Sequence, residues 1–158
     1  MSALGVVFLY FGSLVEVMSI SMAVIASVCV ILAVTEFGGA YPWLIYAVTS
    51  TASILVLPRK EAAIAYILFF GFYPILKGRL EKKNKLLSWI FKELIFNCAL
   101  AIDLLLSSLL LTAGNAEPLP IFIAYIVLAE IAFPLYDLAL QRVVLMYMRK
   151  IRPKFKLK

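Results

Sequence analysis

Histidine is absent from the sequence, cysteine occurs twice, and charged residues make up only 15% of the 158 positions. Without histidine, and with no residues at metal-ligand spacing, a zinc site or a Ser/His/Asp or Cys/His catalytic apparatus is disfavoured. Cys29 and Cys98 each lie in an apolar run, where a thiol packs as a small hydrophobic group, and two such cysteines give no disulfide framework. We therefore expect no enzymatic activity and no cofactor.

Apolar residues, by contrast, are abundant: they form 65% of the chain and give a mean hydropathy of +1.03. A soluble fold needs more polar surface than this, so the sequence predicts an all-α polytopic membrane protein. A single transmembrane domain, 1–148, is followed by a basic cytoplasmic tail, 149–158. Gly38 and Gly39 are expected to end a helix, and Pro74 to kink or close one. The predicted spans are 3–15, 17–35, 41–57, 61–77, 86–113 and 119–148; the first is short, and a five-span arrangement is the alternative.

The net charge of +6 is concentrated in two places, the loop 77–85 and the C-terminal stretch 142–158. Such clustering is typical of cytoplasmic segments, and two spans separate the clusters, which places both on one side. The sequence thus predicts a multi-pass protein of the bacterial cell membrane with both termini in the cytoplasm. Arg59 and Lys60 run against this rule, because they fall in an external turn. Nucleic acid is not an expected partner.

Two long apolar segments each carry one central carboxylate, Asp103 in 94–113 and Glu130 in 119–140. A charge at the middle of a span costs roughly 2.5 to 3.5 kcal/mol unless it faces protein or water, so both residues are candidate functional groups. If the two helices form a hairpin with both faces inward, the pair suits a cationic ligand or a proton, with Asn97, Tyr125 and Tyr66 as further ligand-binding candidates. The alternative is that each carboxylate only joins helices by hydrogen bonding.

Ser19, Ala23 and Ser27 recur every four residues and give the second segment one smooth face. A stripe of small residues lets another helix approach closely. The neighbour is either a helix of this protein or a partner subunit, and the sequence leaves both open. Asp137 lies nearer the cytoplasmic end and is expected to form an interfacial ion pair with Arg142.

The stretches LPRKE at 57–61 and AYILFFGFYPILK at 65–77, followed by Leu80 and Glu81, resemble a signature of small bacterial membrane proteins. Those proteins are similar to the substrate-binding S components of energy-coupling factor (ECF) transporters in length, six-span layout and basic cytoplasmic ends. The resemblance implies a bundle that captures a vitamin-like solute from outside and docks on a transmembrane coupling subunit driven by two ATPase subunits. S components dock through small residues of their first helix, whereas here the stripe falls on the second.

The leading prediction is therefore a small-solute-binding membrane subunit of a transport system. The competing prediction is a non-transporting assembly or scaffold subunit of a membrane complex, in which the polar groups join helices and partners. A stand-alone proton-coupled carrier is a weaker third, because such carriers are usually larger or contain an inverted repeat.

Overall fold

A computed structural model describes residues 1–15, 18–80, 85–111 and 119–151, and six helices account for nearly all of them. The all-α prediction is confirmed, and every helix lies within a few residues of its predicted segment. Glu16, the turn 114–118 and the tail 152–158, on which parts of the predicted topology rest, lie outside the described residues. The helices are α1 (Ser2–Leu14), α2 (Ser19–Glu36), α3 (Tyr41–Val56), α4 (Glu61–Leu80), α5 (Lys85–Leu111) and α6 (Leu119–Met146), which continues in a wide π turn, Tyr147–Ile151.

Within the part of the chain that the structure describes, three helices are long and apolar enough to cross a membrane: Ser19–Glu36, Glu61–Leu80 and Ile123–Arg149. Helices α1 and α3 are apolar but shorter, with 13 and 16 residues. Helix α5 has 27 residues and carries Lys92 and Glu93 in its first half and Asp103 in its second. Length and composition thus support a membrane protein with three candidate spans, and the figure of six stays a prediction.

The turns between the first helices follow from residue chemistry. Gly38 and Gly39 both have φ of 58°, a left-handed conformation that favours glycine, and they end α2 as expected. At the end of α3, the Lys60 ammonium donates hydrogen bonds to the carbonyls of Ile54 at 2.5 Å and Leu57 at 2.7 Å. A cation is favourable at a helix C-terminus, so Lys60 has a local structural role whichever side of the membrane it occupies.

Helix α4 is irregular in its middle. Its α-helical start, Glu61–Ala65, passes into a π turn, Tyr66–Phe70, in which the Gly71 amide bonds back to the Tyr66 carbonyl at 2.7 Å. Pro74 has no amide hydrogen to donate to the preceding turn, and this break in the ladder falls where the helix is irregular. The rod resumes at Tyr73 and runs to Leu80, so the proline does not close it.

An N-terminal core holds α1 to α4 together through close approach of their backbones. Ala23, Ala26 and Ala63 are fully buried in it beside Leu9 and Val30. Helices α1 and α2 cross where Gly12 stands, since a Cβ at that position would lie 2.7 Å from the Met22 Cβ. Small residues let these helices pack tightly and leave little space between them.

An aromatic core joins α5 and α6 to helices α1 to α4. Its contacts are made by large rings rather than by small residues. Phe69 and Tyr73 from α4 meet Phe133 and Tyr136 from α6, with Phe96 of α5 packed against them. The Phe96 and Phe133 rings stack at 4.6 Å between centroids with an interplanar angle of 16°. Large rings thus fill the space between these helices.

Candidate functional site

A cleft of about 990 Å³ lies between α2, α4, α5 and α6. It reaches the end of the bundle where α2 and α4 begin, since Ser19 and the turn residues Arg59, Lys60 and Glu61 line it. The rings of the aromatic core line its deeper part, which we call the aromatic floor, and Ala139 of α6 lines it as well. This volume lies at the upper end of the range for pockets that hold a drug-sized ligand.

The helical repeat explains which residues line the cleft. On α5 the lining residues Phe96, Ala99 and Asp103 recur at intervals of three and four, so they share one face. On α6 the same spacing brings Tyr125, Ala129, Ala132, Phe133 and Tyr136 to the cleft. Alanines alternate with rings along these faces, and their short side chains leave the volume open.

Two of the predicted ligand-binding residues lie in the cleft, Asp103 on α5 and Tyr125 on α6. They are close enough to interact electrostatically across the cleft. The Asp103 side chain is partly exposed to the cleft, and among the residues that the structure describes no side chain forms a hydrogen bond or ion pair with its carboxylate. Asp103 therefore places a carboxyl group in an open, mainly apolar space.

The other three predicted residues do not join them. Glu130 is absent from the lining, and its carboxyl lies beside that of Glu93 on α5, so the two central acids are not brought together. Asn97 is exposed, and its amide donates to the Glu93 carbonyl at 3.1 Å. Tyr66 is fully buried, with its hydroxyl beside Thr49 of α3, on the side of α4 that belongs to the N-terminal core.

The predicted docking stripe is used inside the protein. Ala23 is fully buried in the N-terminal core, and Ser27 accepts a hydrogen bond from the Tyr136 hydroxyl at 2.9 Å. Ser19 lines the cleft. Ala23 and Ser27 thus contact other helices of this protein, while docking of a partner subunit on the stripe stays a prediction.

The sequence analysis did not predict a buried polar cluster on the side of the aromatic core that faces away from the start of α2 and α4. Asp137 of α6 forms ion pairs with Lys77 of α4 and with Lys92 of α5, the latter at 3.2 Å. The Tyr73 hydroxyl donates to the same carboxylate, and we call these four residues the Asp137 cluster. Its side chains are buried, with 2% of Lys77, 7% of Lys92 and 11% of Asp137 exposed.

The Asp137 cluster corrects the prediction for Asp137. An ion pair is present, but its partners come from two other helices, and Arg142 is exposed on α6. The signal available in the sequence was the spacing of Tyr73 and Lys77, which stand four apart and so share a face of α4.

The site thus has charged residues at the mouth of the cleft, aromatic rings in its deeper part, and the ion-paired Asp137 cluster next to those rings. Within the described ranges no group of three His, Cys, Asp or Glu residues is placed to hold a metal ion. Comparison of the chain with protein-family models, with curated proteins and with solved structures gives no match in any of the three.

Proposed function

We propose that this protein is the solute-binding membrane subunit of a transport system and that it captures its solute in the cleft. The observation that carries the proposal is the cleft itself, an open volume of about 990 Å³ with one polar end and an aromatic floor. A bundle that only joins partners gains nothing from such a space, since empty apolar volume costs stability.

We assign the polar end of the cleft, at the start of α2 and α4, to the outer face of the bacterial cell membrane. In a six-span arrangement with cytoplasmic termini, the start of α2 and the start of α4 both face outward, and the basic segments remain inside. The solute would then enter from outside, as the resemblance to ECF S components implies. The Lys60 contact with the end of α3 supplies a reason for a cation in this outer turn.

The Asp137 cluster next to the floor suits the same function. Tyr73, a member of the cluster, packs against the Phe69 and Phe133 rings that line the cleft, and the cluster ties α4, α5 and α6 together on the side that we assign to the cytoplasm. A solute captured from outside is thereby prevented from passing through. Release inward requires that these helices separate, which is the work of an energised partner such as a coupling subunit with ATPase subunits.

The test is native mass spectrometry of the full chain, gently extracted from its own membrane, in wild-type and two variant forms. Ala132→Phe places a ring in the cleft, because Ala132 is exposed and lines it. Ile131→Phe is the matched control, since Ile131 is 57% exposed and is not a lining residue.

We expect a stoichiometric small molecule on the wild-type protein and on Ile131→Phe, and its loss from Ala132→Phe, with co-retained ATPase subunits in the transport case. A protein that retains envelope-assembly partners and no solute in all three forms would overturn the proposal in favour of a scaffold subunit.

A further inference from the structure

We infer that the solute is an organic cation with a flat apolar group, bound with its ammonium at Asp103 and its flat group on the aromatic floor. This inference rests on the proposed function, because it assigns a chemical class to the occupant of the same cleft. It follows from how charge and aromatic surface are distributed along the cleft.

Arg59, Lys60 and Glu61 line the mouth and Asp103 lies deeper, and the case for a cation rests on Asp103. The Lys60 ammonium is occupied by the carbonyls of Ile54 and Leu57, so it is not available to an anion without exposing the end of α3. Asp103 has no ionic or hydrogen-bonding partner among the described residues, and its carboxylate faces the cleft. A carboxylate in an apolar space is costly unless an opposite charge meets it, and a bound ammonium supplies that charge.

The floor favours a flat apolar group. The Phe96 and Phe133 rings are stacked, and Phe69 meets both at nearly perpendicular angles of 72° and 64°. A cluster of this kind presents ring faces and edges to one side, and a further aromatic ring packs against it at the spacings that ring pairs prefer.

The rise of α5 fixes the distance between Asp103 and the aromatic floor. Phe96 and Asp103 lie two turns apart on one face of α5, a separation of about 10 Å along the axis. On α6, Tyr125 and Phe133 are separated by a similar length, so the polar and aromatic zones are level on both walls. The bound molecule should carry its charge about 10 Å from the centre of its flat group.

A set of three probes of equal length tests the inference: phenylhexylammonium, phenylhexanol and phenylheptanoate, which differ in the charge of the head group. Binding is measured by calorimetry to the full chain in nanodiscs of zwitterionic lipid, with empty nanodiscs correcting for partition into the bilayer. We expect the ammonium to bind about ten- to a hundredfold more tightly than the alcohol, as one charged hydrogen bond out of water provides, and the carboxylate to bind most weakly.

Variants test whether Asp103 is the residue that binds the ammonium group. Asp103→Asn should remove the preference for the ammonium over the alcohol, while Glu130→Gln, the same chemical change outside the cleft, should leave it intact. Phe133→Leu should weaken both probes together. The comparison between probes uses the wild-type protein, so it holds even if a variant fails to fold.

The outcomes separate this inference from the proposed function. Equal binding of ammonium and alcohol, or no binding of the ammonium, overturns the cationic class. The proposed function fails separately, if Ala132→Phe retains whatever solute the wild-type protein carries.

Discussion

The Asp137 cluster gives the sharpest test of the fold, through Asp137→Asn. The substitution preserves the shape of the side chain but removes the negative charge that the Lys77 and Lys92 ammonium groups share. Breaking a buried ion pair by removing one partner typically costs about 3 to 5 kcal/mol, because the remaining charge stays buried. We expect a loss of this size in the free energy of unfolding.

The assay is reversible unfolding in mixed micelles with increasing denaturing detergent, followed by circular dichroism. Arg142→Gln is the matched control, since Arg142 was the expected partner and is exposed; it should change the free energy of unfolding by no more than about 0.5 kcal/mol. A third variant replaces Asp137, Lys77 and Lys92 with Leu, Met and Met, which removes all three charges together. It should recover much of the lost stability, because a buried pair and a well-packed apolar substitute are often similar in energy.

The reasoning is refuted if Asp137→Asn costs less than about 1 kcal/mol, which is the value of an exposed pair. It is also refuted if Arg142→Gln proves as costly as Asp137→Asn, since Asp137 would then be paired within α6.

Two further predictions concern packing. Gly71→Ala should destabilise the protein by about 1 to 3 kcal/mol in the same assay, because its Cβ would lie 2.6 Å from the Tyr46 ring and 2.8 Å from the Tyr66 ring, whereas an unchanged midpoint would show that these rings move freely. An apolar maleimide should label Cys98, which is exposed, and spare Cys29, which is buried in α2, as mass spectrometry of the folded protein can measure. Equal labelling of both thiols would contradict the packing of α2.

Helix positions were predictable from the sequence, but helix rotations were not. Charges, prolines and glycines interrupt the apolar runs, so the six segments could be delimited by counting. A run that is apolar on every side has no amphipathic face to show which side meets protein, lipid or a cleft. For that reason the sequence could not tell that Asp103 faces the cleft while Glu130 turns toward Glu93.

The Asp137 cluster escaped prediction for a related reason. Its lysines stand 60 and 45 positions from Asp137 along the chain, and the sequence offers a nearer basic residue, Arg142. Local spacing suggests pairs within one helix, but the packing of α4 and α5 against α6 decides which charges become buried together. Tyr66, which lies in the π turn of α4, is placed in the N-terminal core and not in the cleft.

The division into two cores has a consequence for how specificity can change. Phe69, Phe96, Phe133 and Tyr136 line the cleft, while among the described residues the buried members of the N-terminal core do not. A substitution that trims or enlarges one of those rings resizes the cleft without disturbing the close contacts of α1 to α4. Related chains could therefore diverge in what they accept, one ring at a time, on a scaffold that keeps its shape.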